Sequence, residues 1–177
     1  MTEMPETSAT NPLLAEWDGP FGLPPFERIK DAQFAPALER GMAEGRAAVH
    51  AIADDPAEPT FANTIEALER ADRTLDRVAG VFYTLASADA NPAREALMRE
   101  MAPKLSAYSS EITMNRALFA RIEALWERRD ALGLTPEQAR VLGPLGTGSL
   151  APAATGRGGD PRPCRRAARS RAAPSHD

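Results

Sequence analysis

Residues 59–85, PTFANTIEALERADRTLDRVAGVFYTL, decide the fold class. Ile65, Leu68, Leu75, Val78, Phe82 and Leu85 recur at steps of three, four and seven, the spacing that stacks side chains on one face of a helix. The opposite face is charged, with Glu66–Arg70 and Glu69–Arg73 four apart, glutamate first. That order stabilises a helix by about 0.2–0.5 kcal/mol per pair, so the run reads as a solvated face. Asn63, followed three residues later by Glu66, fits a capping box at the start.

Working outward toward the N-terminus, Asp54-Asp55-Pro56 ends a preceding helix that is expected to open after Asp31, an N-cap residue, with Pro36 tolerated in the first turn. Its stripe is Phe34, Leu38, Met42, Gly45, Val49 and Ile52. Gly41 and Gly45 each cost roughly 1 kcal/mol relative to alanine inside a helix, and close approach of another helix along that face explains them. Residues 1–30 carry Pro12, Pro20, Pro24 and Pro25, too many for a long helix. Leu13, Leu14, Trp17, Phe21, Leu23 and Phe26 are the anchors expected to pin this segment as an extended arm on the helical surface.

Toward the C-terminus, Asn91-Pro92 starts a third helix with the stripe Leu97, Met101, Leu105, Tyr108 and Ile112, and Pro103 is expected to kink it. A fourth follows Asn115, with Leu118, Ile122, Leu125 and Leu132 on one side and Phe119 and Trp126 beside them; Gly133 is its expected C-cap. Thr135-Pro136-Glu137-Gln138 supplies cap, proline and capping-box glutamine for a fifth. No strand alternation appears. The reading is an all-α antiparallel helical bundle over 31–142, preceded by the arm at 1–30.

At Val141-Leu142 the composition changes. Residues 143–177 are Gly, Pro, Ala, Arg and Ser with two leucines and one cysteine. So little apolar surface cannot offset the entropy of ordering, so a disordered tail is expected, with Gly143-Pro144 breaking the fifth helix after two turns.

The net charge of −4 conceals an asymmetry. The tail has six arginines against Asp160 and Asp177, while the first 142 residues have fifteen Lys and Arg against twenty-three Asp and Glu. An acidic body argues against a nucleic-acid footprint. The basic tail lacks aromatics for stacking and any amphipathic period for a membrane surface. Cys164 is the sole cysteine, which excludes an intrachain disulfide and suits a reducing cytoplasm. The first ten residues, MTEMPETSAT, do not resemble a signal peptide, and no stretch approaches the roughly 18–20 apolar residues of a membrane span.

The residues carry no recognisable active site. Zinc hydrolysis needs three protein ligands and a carboxylate to activate water, yet the histidines are only His50 and His176, and Ala51-Ile52-Ala53 after His50 excludes HExxH there. Glu111 and Glu123 read as helix-surface residues. Nucleophile elbows and phosphate-binding glycine loops are absent. No catalytic, cofactor-binding or metal residue is assigned.

Several stretches nevertheless resemble one family, the thimet oligopeptidase and peptidyl-dipeptidase group of zinc metallopeptidases. They are NPLL, PPFERIKDAQFAPALERGMAE, DDPAEPTFANTIEALERA, NPAREALMREMAPKLSAYSSEI and NRALFARIEALWERRDALGLTPEQARVL, in family order over 11–142. The resemblance implies an almost wholly helical enzyme around a deep channel that admits short peptides, with N-terminal helices forming part of one wall. It also implies a zinc held far downstream by an HExxH helix and a later glutamate, and release of C-terminal dipeptides or internal cleavage of oligopeptides. Only the N-terminal helical portion of the family pattern is matched, so no zinc ligand or catalytic residue carries over. The tail resembles an out-of-frame reading of GC-rich DNA, and a frameshift near codon 142 is the expectation it raises.

Three readings follow. The first is an N-terminal portion of a zinc oligopeptidase, inactive alone and lacking its catalytic domain. The second is one half of a split peptidase, and the third a free-standing helical interaction module. A face evolved to pack on a catalytic domain would remain apolar and exposed, and the Gly41–Gly45 face and the Trp17-Phe21-Phe26 arm are the candidates.

Overall fold

A computed structural model describes residues 11–146, all helices, turns and loops with no strand among them. The long elements are α1 (Phe34–Ala53), α2 (Ala67–Ala71), α3 (Arg73–Ala88), α4 (Pro92–Thr113), α5 (Arg116–Glu127) and α6 (Pro136–Gly146). A π-helical turn, Phe61–Glu66, leads into α2.

The central element is α1, which touches α2, α3, α4 and α5. Its predicted stripe is buried throughout, joined by Ala37 and Gly41. An ideal Cβ on Gly41 would lie 2.8 Å from the Leu75 Cα, so the glycine lets the α3 backbone press directly on α1. A Cβ on Gly45 would strike the Tyr108 hydroxyl and the Asp72 carboxylate. These contacts pair rising numbers in α1 with falling numbers in α2–α3, so the two run antiparallel. Glu39–Lys104 and Arg46–Glu111, at 2.6 and 2.7 Å, rise together, so α4 runs parallel to α1.

Two apolar clusters result. The first joins Leu13 to Phe34, Leu38 and Met42 of α1, Val78 and Phe82 of α3, and Met101 and Tyr108 of α4. The second joins Val49, Ile52 and Ile65 to Leu118, Ile122 and Leu125 of α5 and Leu142 of α6.

The helix starts are capped largely as expected. The Asn91 side chain accepts from the Arg94 N–H at 2.8 Å, Asn115 from Leu118 at 3.0 Å, and Thr135 from Gln138 at 3.2 Å. Elsewhere the structure corrects the sequence reading. The box at the second helix is Thr60 with Asn63, not Asn63 with Glu66: each backbone N–H donates to the other's side chain, at 2.7 and 3.1 Å. Thr60 has the extended backbone an N-cap requires, whereas Asn63 already lies in the π turn. Asp31 opens a 3₁₀ turn, Asp31–Gln33, rather than capping α1. Its carboxylate instead accepts from Arg94 Nε at 2.7 Å and Asn91 Nδ2 at 3.0 Å. The helix α4, Pro92–Thr113, contains Pro103 within its length.

The largest correction is at α6, which passes through Gly143-Pro144 to Gly146. Leu142 is fully buried and Leu145 packs against the second cluster, so packing outweighs the missing proline N–H. The expected disordered tail therefore does not begin at 143; its remainder, 147–177, lies outside the described residues, as do Cys164, His176 and the arginine-rich run.

Candidate functional site

The residues with chemistry-bearing side chains sit mainly where structure needs them. His50 is exposed near the end of α1 and Glu123 is exposed on α5. Glu111 accepts from Arg46 Nε across α1 and α4. Glu66–Arg70 forms at 3.5 Å, while Glu69 and Arg73 lie on either side of the irregular Asp72 and do not pair with each other. Among the described residues no three His, Cys, Asp or Glu side chains gather into a group able to hold a metal ion. Residues 11–146 therefore do not fit the zinc that the family resemblance implies, and no hydrolytic step is derived through them.

The most concentrated ionisable cluster lies under α1. Asp72, at the irregular junction between α2 and α3, accepts from the Tyr108 hydroxyl in the notch left by Gly45. The Arg46 guanidinium lies 5.2 Å above the Tyr108 ring centre. Burial, then the bond to Asp72, pushes the Tyr108 hydroxyl far above its ordinary range, so it stays a donor. Asp76 one turn on is raised, by burial first and then by the charges of Asp72 and Glu69. The cluster locks a joint between α1, the α2–α3 junction and α4.

The arm and the interhelical loop depend on arginines that the hydrophobic pattern left unnoticed. Arg77 donates to the Leu13 and Leu14 carbonyls, both at 3.2 Å, and lies 5.0 Å from the Trp17 ring centre. Arg121, 7% exposed, donates to the Asp55 and Ala57 carbonyls at 2.6 and 3.0 Å. Arg128 reaches the Pro59 carbonyl at 2.9 Å and also pairs with Glu58. Arg121 lies between Leu118 and Leu125 in helical register, the one sequence signal that places it inward.

Two concave regions stand out among the described residues. A cleft of about 480 Å³ lies between α5 and α6, lined by Trp126, Arg129, Asp130, Leu134 and Leu142 among others. A shallower one of about 380 Å³ is lined by Phe61, Ile65, Glu66, Glu69, Glu137 and Val141 among others. Neither gathers a nucleophile, a base and an orienting partner, so neither carries an assignable reaction.

The two surfaces expected to be apolar and unpartnered separate cleanly. The Gly41–Gly45 face is consumed by α3 and Tyr108. Trp17 is half-buried against the first cluster, its Nε1 donating to the Pro12 carbonyl at 3.0 Å. Phe21, Leu23 and Phe26 are exposed, so they do not anchor the arm; Leu13, Leu14, Trp17 and Ile29 do.

No protein-family profile matches the chain. Among curated proteins it is 40% identical to dipeptidyl carboxypeptidase of Salmonella typhimurium over 134 residues, which are 76% of this chain and 20% of that protein. It is 37% identical to dipeptidyl carboxypeptidase of Escherichia coli over 132 residues, 75% of this chain and 19% of that protein. Oligopeptidase A of Salmonella typhimurium is 32% identical over 110 residues, 62% of this chain and 16% of that protein. The chain thus spans about a fifth of the length of the dipeptidyl carboxypeptidases that it matches. Over that segment the chain is similar to dipeptidyl carboxypeptidases and to oligopeptidase A.

Proposed function

We propose that residues 11–146 are a structural, substrate-framing portion of a cytoplasmic zinc oligopeptidase of the dipeptidyl carboxypeptidase type, and that they hold no hydrolytic centre of their own. The parent reaction is hydrolysis of short peptides with release of C-terminal dipeptides. The observation that carries this reading is the 40% identity across three quarters of the chain to a protein five times as long as the matched segment. The buried Tyr108 hydroxyl, bonded to Asp72, serves a helix joint, which suits a structural role.

The test has two arms. The purified chain, incubated with zinc and an N-blocked tripeptide, is expected to release no dipeptide. A chimera in which residues 11–146 replace the aligned segment of Escherichia coli dipeptidyl carboxypeptidase is expected to hydrolyse the same substrate. Zinc-dependent turnover by the chain alone, or a folded chimera without activity, would overturn the reading.

A further inference from the structure

Between Asp18 and Glu27 the chain reads GPFGLPPF, eight residues without a charge. Phe21 is 98% exposed, Leu23 56% and Phe26 46%. The stretch is held on both sides. Asn11 Nδ2 donates to the Gln33 carbonyl, Leu13 is fully buried, Arg77 holds the Leu13 and Leu14 carbonyls, and Ile29 packs on the first cluster. The exposed side chains are therefore presented by a fixed loop.

The loop is also strained at its tip. The Gly22 N–H donates to the Gly19 carbonyl at 3.0 Å, closing a turn centred on Pro20 and Phe21. Phe21 has φ 61 and ψ 14, the left-handed region that glycine favours and an aromatic residue seldom occupies. Such a conformation persists where its surroundings reward it. Within residues 11–146 nothing does, because the ring it displays is almost wholly in water.

An uncharged, aromatic-tipped loop whose order is fixed in advance by prolines and flanking bonds suits the desolvated centre of an interface. The size relation identifies the occupant: the matched relatives carry about four-fifths of their length outside the segment this chain spans. We propose that Phe21, Leu23 and Phe26 form a plug that seats in an apolar socket on the remaining part of a full-length peptidase. This rests on the function proposed above and names the surface through which the helices join the rest of that enzyme.

The experiment uses the chimera with the substitution Phe21→Cys as its sole cysteine, compared with the free chain carrying Phe21→Cys and Cys164→Ser. Maleimide labelling is expected to be at least about tenfold slower in the folded chimera than in the free chain, as protection by a docked surface requires. Equal rates in an active chimera overturn the plug and leave the functional reading intact. A folded, inactive chimera overturns the functional reading, while its labelling rate still reports docking.

A second measurement does not depend on the chimera. In the free chain, the combined variant Phe21→Ser, Leu23→Ser, Phe26→Ser is expected to keep the thermal midpoint and to bind less hydrophobic dye. A lowered midpoint would assign these side chains to the chain's own core and overturn the proposal.

Discussion

The N-terminal half of α1 packs Phe34 against Phe82, ring centres 5.2 Å apart, in a cluster closed by bare backbone contact at Gly41. The C-terminal half packs Val49 and Ile52 against α5 and α6, and the loop above it is held by the buried guanidinium of Arg121. One half is specified by shape. The other adds a guanidinium tie to its aliphatic packing; among the described residues Arg121 Nε, like Arg77 Nε at the arm, is buried without a partner. The difference teaches that the first region should tolerate no added volume, whereas the second should tolerate exchange of its polar tie for an apolar side chain.

Truncation of the shape-specified half gives the largest expected effect. Phe82→Ala should destabilise the chain by about 3–5 kcal/mol, read from urea unfolding, because it empties the centre of the first cluster. Addition of volume comes next. Gly41→Ala should cost about 1–3 kcal/mol, since the new methyl meets the Leu75 backbone, which cannot step aside. Gly45→Ala should cost less, because it meets the ends of the Tyr108 and Asp72 side chains; equal costs would erase the distinction between a backbone clash and a side-chain one.

In the other half, Arg121→Ala should cost about 1–3 kcal/mol by leaving the Asp55 and Ala57 carbonyls without their donor. Arg121→Met should cost less than the alanine variant, since it fills the space and removes the orphaned Nε. A methionine variant as unstable as alanine would show that the loop needs the guanidinium bonds themselves.

The smallest effects are electrostatic and oppose each other with pH. Burial raises the Asp31 carboxyl, but the bonds from Asn91 and Arg94 outweigh it and hold the group below its ordinary value of 3.8. Its contribution is present above that value and is lost as pH falls through the lower folded one. Asp31→Asn should therefore cost less than about 1 kcal/mol at pH 7, and that cost should shrink as pH falls below 3.8. Asp76 is raised by burial and by Asp72 and Glu69, so its favourable term exists below 3.8 and is lost as pH rises through the folded value. Asp76→Asn should gain a few tenths of a kcal/mol at pH 7, roughly the scale of exposed charge pairs. A loss there would mean that the carboxylate holds a bond of its own.

Helix existence was legible because burial repeats at helical spacing: every residue of the predicted α1 stripe is buried. The glycines in that stripe also announced the close α3 contact. Ends and ties were less legible. Thr60 displaced Asn63 as the cap because backbone angle, not residue type, decides which of two capping residues sits outside the helix. Gly143-Pro144 signalled a stop, yet the helix continues because Leu142 and Leu145 find places in the second cluster, a tertiary gain that local propensity does not contain. Phe21 and Phe26 were read both as anchors and as candidates for an exposed apolar surface, because hydrophobicity alone cannot tell the two apart; the structure exposes both, and Leu23 with them.

Arg77 reaches back 64 residues to the Leu13 carbonyl. During synthesis the arm emerges before α3, but the Leu13 and Leu14 carbonyls lack the Arg77 donor until Arg77 has left the ribosome and α3 has docked on α1. The earliest part of the described chain is thus among the last to be fixed. Closing that long loop late places the arm outside the folding nucleus, so weakening the Arg77 tie should speed unfolding while leaving the refolding rate nearly unchanged.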